Sequence, residues 1–182
     1  MGASMWAQMG SVVAEEFADL SDAGEFARVF VRLVVAMALG GLLGLEREMR
    51  GTSAGLRTHM LVALGAALFV LVPLQGGMEV ADMSRVLQGV ISGIGFLGAG
   101  AILKAHDREI HGLTTAASIW LTAAIGIAAG MGREMTAILS TVFALVILAL
   151  VRRITHARQA GTTRRRVIVP DRSGPGERPR ED

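Results

Sequence analysis

The chain of 182 residues contains no cysteine. A disulfide framework, a thiolate nucleophile and a cysteine-ligated metal site are therefore excluded. The sequence also lacks the residue sets of common catalytic sites, because it has no Ser/His/Asp arrangement, no H-E-x-x-H motif and no paired carboxylates within an apolar run. We expect a protein that is not an enzyme and that binds no cofactor.

Acidic residues and lysine are missing from the middle of the long apolar runs. Hydrophobic residues make up 52% of the chain and charged residues 19%. Crossing a hydrocarbon core takes about 20 helical residues at about 1.5 Å each, and a soluble domain would not bury several such runs. We predict an all-α, polytopic transmembrane helical bundle with about five spans. The expected spans are residues 29–45, 56–74, 86–103, 113–129 and 135–151.

Arginine and lysine are concentrated in alternate segments between these spans. The cation-rich segments are the first loop, the third loop and the C-terminal tail, with Arg47, Arg50, Arg57, Lys104, Arg108, Arg152 and Arg153. The positive-inside rule places such segments in the cytoplasm. We therefore predict that the N-terminus lies outside and that the C-terminus is cytoplasmic.

The predicted organisation has three parts. Residues 1–27 form an acidic extracytoplasmic leader, residues 28–155 form the transmembrane domain, and residues 156–182 form a basic, disordered cytoplasmic tail rich in Arg, Pro and Gly. A basic segment next to a span usually contacts anionic lipid headgroups. We expect the lipid bilayer to be a partner of this chain and nucleic acid not to be one.

Glycine is concentrated in the third predicted span, at Gly89, Gly93, Gly95, Gly98 and Gly100. A glycine inside a helix costs about 1 kcal/mol relative to alanine, and close approach of neighbouring helices is the usual compensation in membranes. Small-xxx-small pairs recur in the first span (Gly40/Gly44) and the fourth (Gly126/Gly130). We expect spans one, three and four to form a tight core, with the fifth on the lipid-facing rim. The glycine-rich faces also predict a membrane-protein partner or a homo-oligomer.

Polar residues at the span ends permit more than one interpretation. Glu46 and Arg47 end the first span, and Arg57 and Thr58 begin the second at the same membrane face. They form either an interfacial salt-bridged hairpin, worth about 0–1 kcal/mol on a wet surface, or an ion or effector contact. Arg32, near the outer end of the first span, extends its stem to the headgroups or is paired inside the bundle.

Two further groups also permit alternatives. His106, Asp107, Glu109 and His111 in the third loop have the spacing of a divalent-cation site, although solvated loop charge is the favoured interpretation. Hydroxyls of the fourth span, beginning at Thr114 and Thr115, either bond to neighbouring helices or line a polar pathway. Structural hydrogen bonding is favoured there.

Three ordered signatures resemble the MgtC/SapB membrane family. The first comprises Arg32, ALGGLLGLERE at residues 38–48 and AGLRTHMLV at residues 54–62. The second is SGIGFLGAGAI at residues 92–102, and the third is GLTTAASIW at residues 112–120. The family positions carried over to this chain are Arg32, Glu46, Arg47, Gly55, Arg57, Thr58, Gly93, Gly95, Gly98, Gly100, Thr114 and Thr115.

The resemblance implies a multi-pass protein of the bacterial inner membrane linked to growth under magnesium limitation. It further implies a non-enzymatic modulator of a membrane complex that serves ion homeostasis, the alternative being a transporter or channel for magnesium or another ion. The tail is too short for the C-terminal ACT-like domain that many members carry, so we expect a short form. Thr114 and Leu121 differ from the Asn and Cys of virulence-type members, which argues against a virulence role.

Overall fold

The fold is known from a computed structural model, which describes residues 2–16, 18, 22–104 and 110–166 and the side chains of 5–16, 18, 22–102 and 110–150. Helices dominate the described chain, which confirms the all-α prediction. They are α1 (Gly2–Glu16), α2 (Ala23–Glu48), α3 (Leu56–Gln75), α4 (Ser84–Ala101), α5 (Leu113–Gly130) and α6 (Glu134–Arg166). A short 3-10 helix, Val80–Met83, precedes α4, and strands β1 (Leu103–Lys104) and β2 (Ile110–His111) pair antiparallel between α4 and α5.

Three of the described helices, α2, α3 and α5, are long and apolar enough to cross a membrane. The apolar part of α6, Glu134–Leu150, is shorter. Helix α4 is less apolar because Arg85 and Gln88 lie near its start and its many glycines add little apolar surface. The count of five spans and the orientation of the termini stay predictions.

Helix α3 is the centre of the bundle, since it packs against both α2 and α5, which also contact each other. Small side chains make this close packing possible. A Cβ added to Gly40 of α2 would lie 2.7 Å from the Ala63 Cβ, and one added to Gly130 of α5 would lie 2.8 Å from the Ala67 Cα. A Cβ added to Gly126 of α5 would overlap the backbone of Ala63. The helices are so close at these positions that only glycine fits, as the small-xxx-small spacing predicts.

We predicted that spans one, three and four form the core, and this prediction is wrong for the third span, which corresponds to α4. On α4, a Cβ added to Gly89, Gly93, Gly95 or Gly100 would meet nothing within 4 Å, and one added to Gly98 would make only ordinary contact with Ala116. The second span, α3, occupies the central position instead. The physical reason is that alanine permits close helix approach almost as well as glycine, and α3 buries Ala63, Ala66 and Ala67.

The described part of α6 buries one narrow face. Ala137, Thr141 and Ala144 are buried, whereas Leu139 and Phe143 are more than half exposed. This distribution agrees with the rim position expected for the fifth span. A lipid-facing helix can expose large apolar side chains because hydrocarbon solvates them.

The helices extend beyond the predicted segment boundaries at both ends. Helix α2 begins at Ala23, inside the segment assigned to the acidic leader, because the Asp22 carboxylate accepts a hydrogen bond from the Glu25 N–H at 2.9 Å and caps the helix. The described chain divides into two units between Leu145 and Val146. In the second unit the helix continues to Arg166, so residues 156–166 are helical where disorder was predicted. No proline interrupts the helix there, and the rest of the predicted disordered tail, residues 167–182, lies outside the described residues.

Candidate functional site

A buried charged cluster lies at the end of α2. Arg47 is 8% exposed, and its Nη1 lies 3.8 Å from Glu46 Oε2, while Glu46 Oε1 lies 2.9 Å from Arg50 Nε. Glu46 Oε2 and Arg47 Nε are buried and have no hydrogen-bond partner in the part of the chain described. A buried charge without full hydrogen bonding is costly. The cluster is therefore less exposed to solvent than the interpretation as an interfacial salt-bridged hairpin assumes.

The turn that follows is organised by Glu48 and Gly55. Glu48 Oε2 accepts a hydrogen bond from the Leu56 N–H at 2.8 Å and so caps the start of α3. A Cβ added to Gly55 would lie 2.8 Å from the same oxygen. The predicted site residue Gly55 thus makes room for a carboxylate, and Glu48, which was part of the motif but was not among the predicted site residues, supplies it.

Thr52 closes the turn from the other side. Its hydroxyl lies 2.9 Å from the carbonyl oxygen of Arg47 and 3.0 Å from that of Ala54, and it can donate to either. Because the last carbonyls of a helix lack intrahelical donors, this hydroxyl satisfies one of them. The connection between α2 and α3 is consequently fixed by side chains from both of its ends.

His59 connects α3 to α5. It is fully buried; its Nδ1 lies 2.9 Å from the carbonyl oxygen of Gly55 and its Nε2 lies 3.2 Å from Ser118 Oγ. The carbonyl can only accept, so Nδ1 donates to it, which leaves Nε2 as an acceptor for the Ser118 hydroxyl. The carbonyl oxygen of Thr115, 2.8 Å from Ser118 Oγ, competes with Nε2 for the one proton of that hydroxyl. The contact between His59 and Ser118 was not predicted from the sequence. The only indication of it was the presence of a polar residue in each of two apolar spans.

The hydroxyls of α5 bond partly within their own helix, and Ser118 also contacts His59 of the neighbouring helix α3. Thr115, Ser118 and Thr122 are buried, and the Thr122 hydroxyl donates to the carbonyl oxygen of Ser118 at 2.8 Å. A hydroxyl that donates to a carbonyl three or four residues earlier in its own helix satisfies its proton without a partner from outside the helix. Thr114 faces away and is exposed.

Arg32 lies at the opposite end of the bundle. Its Nη1 donates to the carbonyl oxygen of Gly130 at 3.4 Å, its Nε lies 3.9 Å from Glu134 Oε1, and its side chain is 29% exposed. A cation at the C-terminus of α5 is favoured by the helix dipole. Arg32 is therefore paired, as one interpretation of the sequence proposed. It also lies partly exposed at the end of the bundle, as the other interpretation proposed. Gly132, with φ of +73°, lets the chain turn beside the guanidinium.

The predicted site residues therefore fall into separate groups. Glu46, Arg47, Gly55 and Thr115 lie at one end of the α2–α3–α5 core; Arg57, Thr58 and Thr114 lie at the same end but are exposed. Arg32 lies at the other end. Gly93, Gly95, Gly98 and Gly100 lie on α4, where Gly98 faces Ala116 near the start of α5. Their roles stay predictions.

No described set of three His, Asp or Glu side chains forms a group that could hold a metal ion. The third-loop alternative depends on His106, Asp107 and Glu109, and residues 105–109 lie outside the described residues. A divalent-cation site there stays a prediction.

Known proteins that are similar to this chain match the part of it that forms the helical bundle. A family model described as the MgtC family matches residues 33–157, which begins beside Arg32 and includes both ends of the bundle. YhiD of Escherichia coli, named as a candidate magnesium transporter, is 43% identical over 136 residues, covering 71% of this chain and 63% of the relative. SrpB of Synechococcus elongatus is 41% identical over 143 residues, covering 72% of this chain and 79% of the relative.

MgtC of Brucella abortus is 42% identical over 140 residues, covering 76% of this chain and 57% of the relative. The match thus spans less than two thirds of the E. coli and Brucella relatives. No solved structure matches the chain significantly. The family match and the apolar helices together show a membrane protein, and the chain belongs to the MgtC family.

Proposed function

We propose that this protein is a non-enzymatic modulator of a membrane complex in the bacterial inner membrane, acting in magnesium limitation or ion homeostasis. The names of its relatives support the link to magnesium. The observation that carries the modulator role is a face of α4 without a partner, which we call the outward face of α4: Gln88, Ser92, Gly95 and Ala99, all exposed.

These four residues lie on one side of α4 because their spacing of four, three and four matches about 3.6 residues per turn. The side chains of Gln88 and Ser92 have no hydrogen-bond partner among the described residues. An amide or hydroxyl that faces hydrocarbon unpaired is costly, whereas an interhelical hydrogen bond contributes about 0.6 kcal/mol. Small residues at Gly95 and Ala99 would let another backbone approach, so this face suits a transmembrane helix of a partner.

The experiment places a photo-crosslinking amino acid at Ser92 in a bacterial host that lacks its own MgtC-family gene. We expect it to crosslink to one membrane protein of the host, and we expect Gly95→Leu to abolish both this product and growth at low magnesium. Gly93→Leu is the matched control, because Gly93 lies on the same helix but outside the outward face and is equally uncrowded. Crosslinks formed only between copies of this chain, with growth unaffected by Gly95→Leu, would refute the modulator role.

The second candidate function is transport of magnesium or another ion. The buried, incompletely paired Glu46 and Arg47 favour it, since such groups often mark ion pathways in membranes, as does the name of the E. coli relative. Against it, a divalent cation takes six or more oxygen ligands, and among the described residues no group of three His, Asp or Glu side chains could hold one. Purified protein in sealed liposomes tests transport directly. Magnesium uptake by the unaltered protein that is abolished in Glu46→Gln would favour transport as the function and contradict the modulator role.

A further inference from the structure

Helices α3 and α4 diverge and leave an apolar groove between them, which we call the α3/α4 groove. Its volume is about 610 Å³, and its walls include Val62 and Ala66 of α3 and Gly89 and Gly93 of α4. Phe69 of α3 is 62% exposed at its edge. Among the described residues, Arg85, close to the start of α4, is the one charged residue that lines the groove. The groove is therefore a hydrocarbon-lined surface with a cation at one end.

A second, polar cavity adjoins that end. It has a volume of about 900 Å³, shares Arg85 and Val86 with the α3/α4 groove, and is also lined by Asp82 and by Gly77 of the α3–α4 connection. Within the described chain, the side chains of Arg85 and Asp82 make no ion pair, either with each other or with another residue. A positive and a negative group thus face one cavity, and each is available to a ligand.

We propose that the groove and the cavity together bind one aminophospholipid molecule. An acyl chain lies in the α3/α4 groove, the phosphate is bound by Arg85, and the headgroup ammonium is bound by Asp82. Arginine is suited to phosphate because its planar guanidinium donates two parallel hydrogen bonds. The zwitterionic headgroup of phosphatidylethanolamine complements both charges, whereas phosphatidylglycerol offers the carboxylate only neutral hydroxyls.

The length and the charge of the groove favour a lipid over a protein helix. From Arg85 to Leu97 the groove follows α4 for about 18 Å at 1.5 Å per residue, close to the roughly 15 Å thickness of one leaflet's hydrocarbon. Arg85 at one end of the groove supplies a charged group for a phosphate, which a lipid carries and an apolar transmembrane helix does not. A single flexible acyl chain can occupy the groove and leave the rest of the lipid in the bilayer.

Native mass spectrometry of the full-length protein, released from detergent after addition of defined lipids, tests the groove. We expect one tightly held phosphatidylethanolamine molecule on the unaltered protein. Gly93→Leu places a side chain in the groove and should weaken retention about tenfold or more. Gly95→Leu is the matched control and should retain the lipid, because Gly95 does not line the groove, although an added Cβ is equally uncrowded at both positions.

The headgroup assignment is tested with three probes: phosphatidylethanolamine, phosphatidylglycerol and diacylglycerol. The unaltered protein should bind them in that order of decreasing affinity. Arg85→Gln should weaken phosphatidylethanolamine binding about tenfold, as loss of a charge-assisted bond implies, and leave diacylglycerol binding unchanged. Asp82→Asn should remove only the preference for phosphatidylethanolamine over phosphatidylglycerol.

Three results would overturn the proposal. Equal binding of all three probes by the unaltered protein would exclude headgroup recognition, and equal retention in Gly93→Leu and Gly95→Leu would exclude the groove. A shift from dimer to monomer in Gly93→Leu, without loss of lipid, would identify the groove as an interface between copies. The outcome is separate from the modulator role, since that role depends on Gly95 and lipid binding depends on Gly93.

Discussion

The α2–α3–α5 core and helix α4 are both rich in small residues, yet they use them differently. In the core, a Cβ added to Gly40 or Gly130 would meet a neighbouring helix at under 3 Å, whereas on α4 a Cβ added to Gly93 or Gly95 would meet nothing within 4 Å. The small residues of the core are therefore already used for packing within the chain, and those of α4 remain free for lipid or for another protein. Small residues indicate that helices can approach closely, but they do not identify which helices do so.

The largest expected effect tests this comparison directly. Gly126→Leu would drive a side chain into the backbone of Ala63, and overpacking against backbone that cannot yield should destabilise the fold by about 3 kcal/mol or more. Gly95→Leu on α4 should change stability by less than about 0.5 kcal/mol. The fraction of protein that stays monodisperse after heating in detergent measures both, and similar heat resistance of the two variants would show that the comparison is wrong.

A smaller effect is expected from the charged cluster of the core. Glu46→Gln removes the carboxylate that faces both Arg47 and Arg50. Arg47 would then be a buried cation without a counter-charge, which should cost about 2–4 kcal/mol. The exposed Arg57 provides the control, because Arg57→Gln should have little effect. The midpoint of thermal unfolding in detergent distinguishes them, and equal midpoints would mean that the Glu46–Arg47 pair contributes nothing to stability.

The hydrogen bond between α3 and α5 should contribute less. Ser118→Ala leaves His59 Nε2 buried without its 3.2 Å partner, and the expected loss is about 1–2 kcal/mol. Thr114→Ala, on the exposed side of the same helix, should be close to neutral. If denaturant titration in mixed micelles ranks the two variants in the opposite order, the assigned hydrogen bond is wrong.

The weakest effect is expected at the turn. Glu48→Ala removes the cap on the Leu56 N–H and should cost about 1 kcal/mol. Because the three atoms nearest to a Cβ added to Gly55 all belong to Glu48, Gly55→Ala should be better tolerated once Glu48 is also alanine. A double-mutant cycle measures this coupling, and strictly additive losses would show that the two residues act independently.

The sequence predicted helix positions best where glycine marks the ends. The expected spans 56–74 and 113–129 correspond to α3 (Leu56–Gln75) and α5 (Leu113–Gly130), which directly follow Gly55 and Gly112. The first span was predicted too short, because charged residues such as Arg47 continue α2 beyond its apolar run. Hydropathy detects the part of a helix that hydrocarbon solvates, and the helix itself ends where capping ends it.

Part of the candidate site was also predictable. Glu46, Arg47 and Gly55 lie at one membrane face because the chain makes only a short turn there, so their proximity follows from the span boundaries. The His59–Ser118 contact does not follow, since it depends on the rotation of α5 about its own axis. Rotation is decided by the packing of alanine and glycine faces, and several rotations are compatible with the same hydropathy profile.

An arginine lies near each end of helix α2, Arg32 at one and Arg47 at the other. Fifteen residues separate them, which corresponds to about 22 Å along the helix axis. That distance is shorter than the roughly 30 Å of an average hydrocarbon core. If α2 crosses the membrane, the bilayer around it becomes thinner or the two arginine stems extend along the helix toward the headgroups on opposite sides.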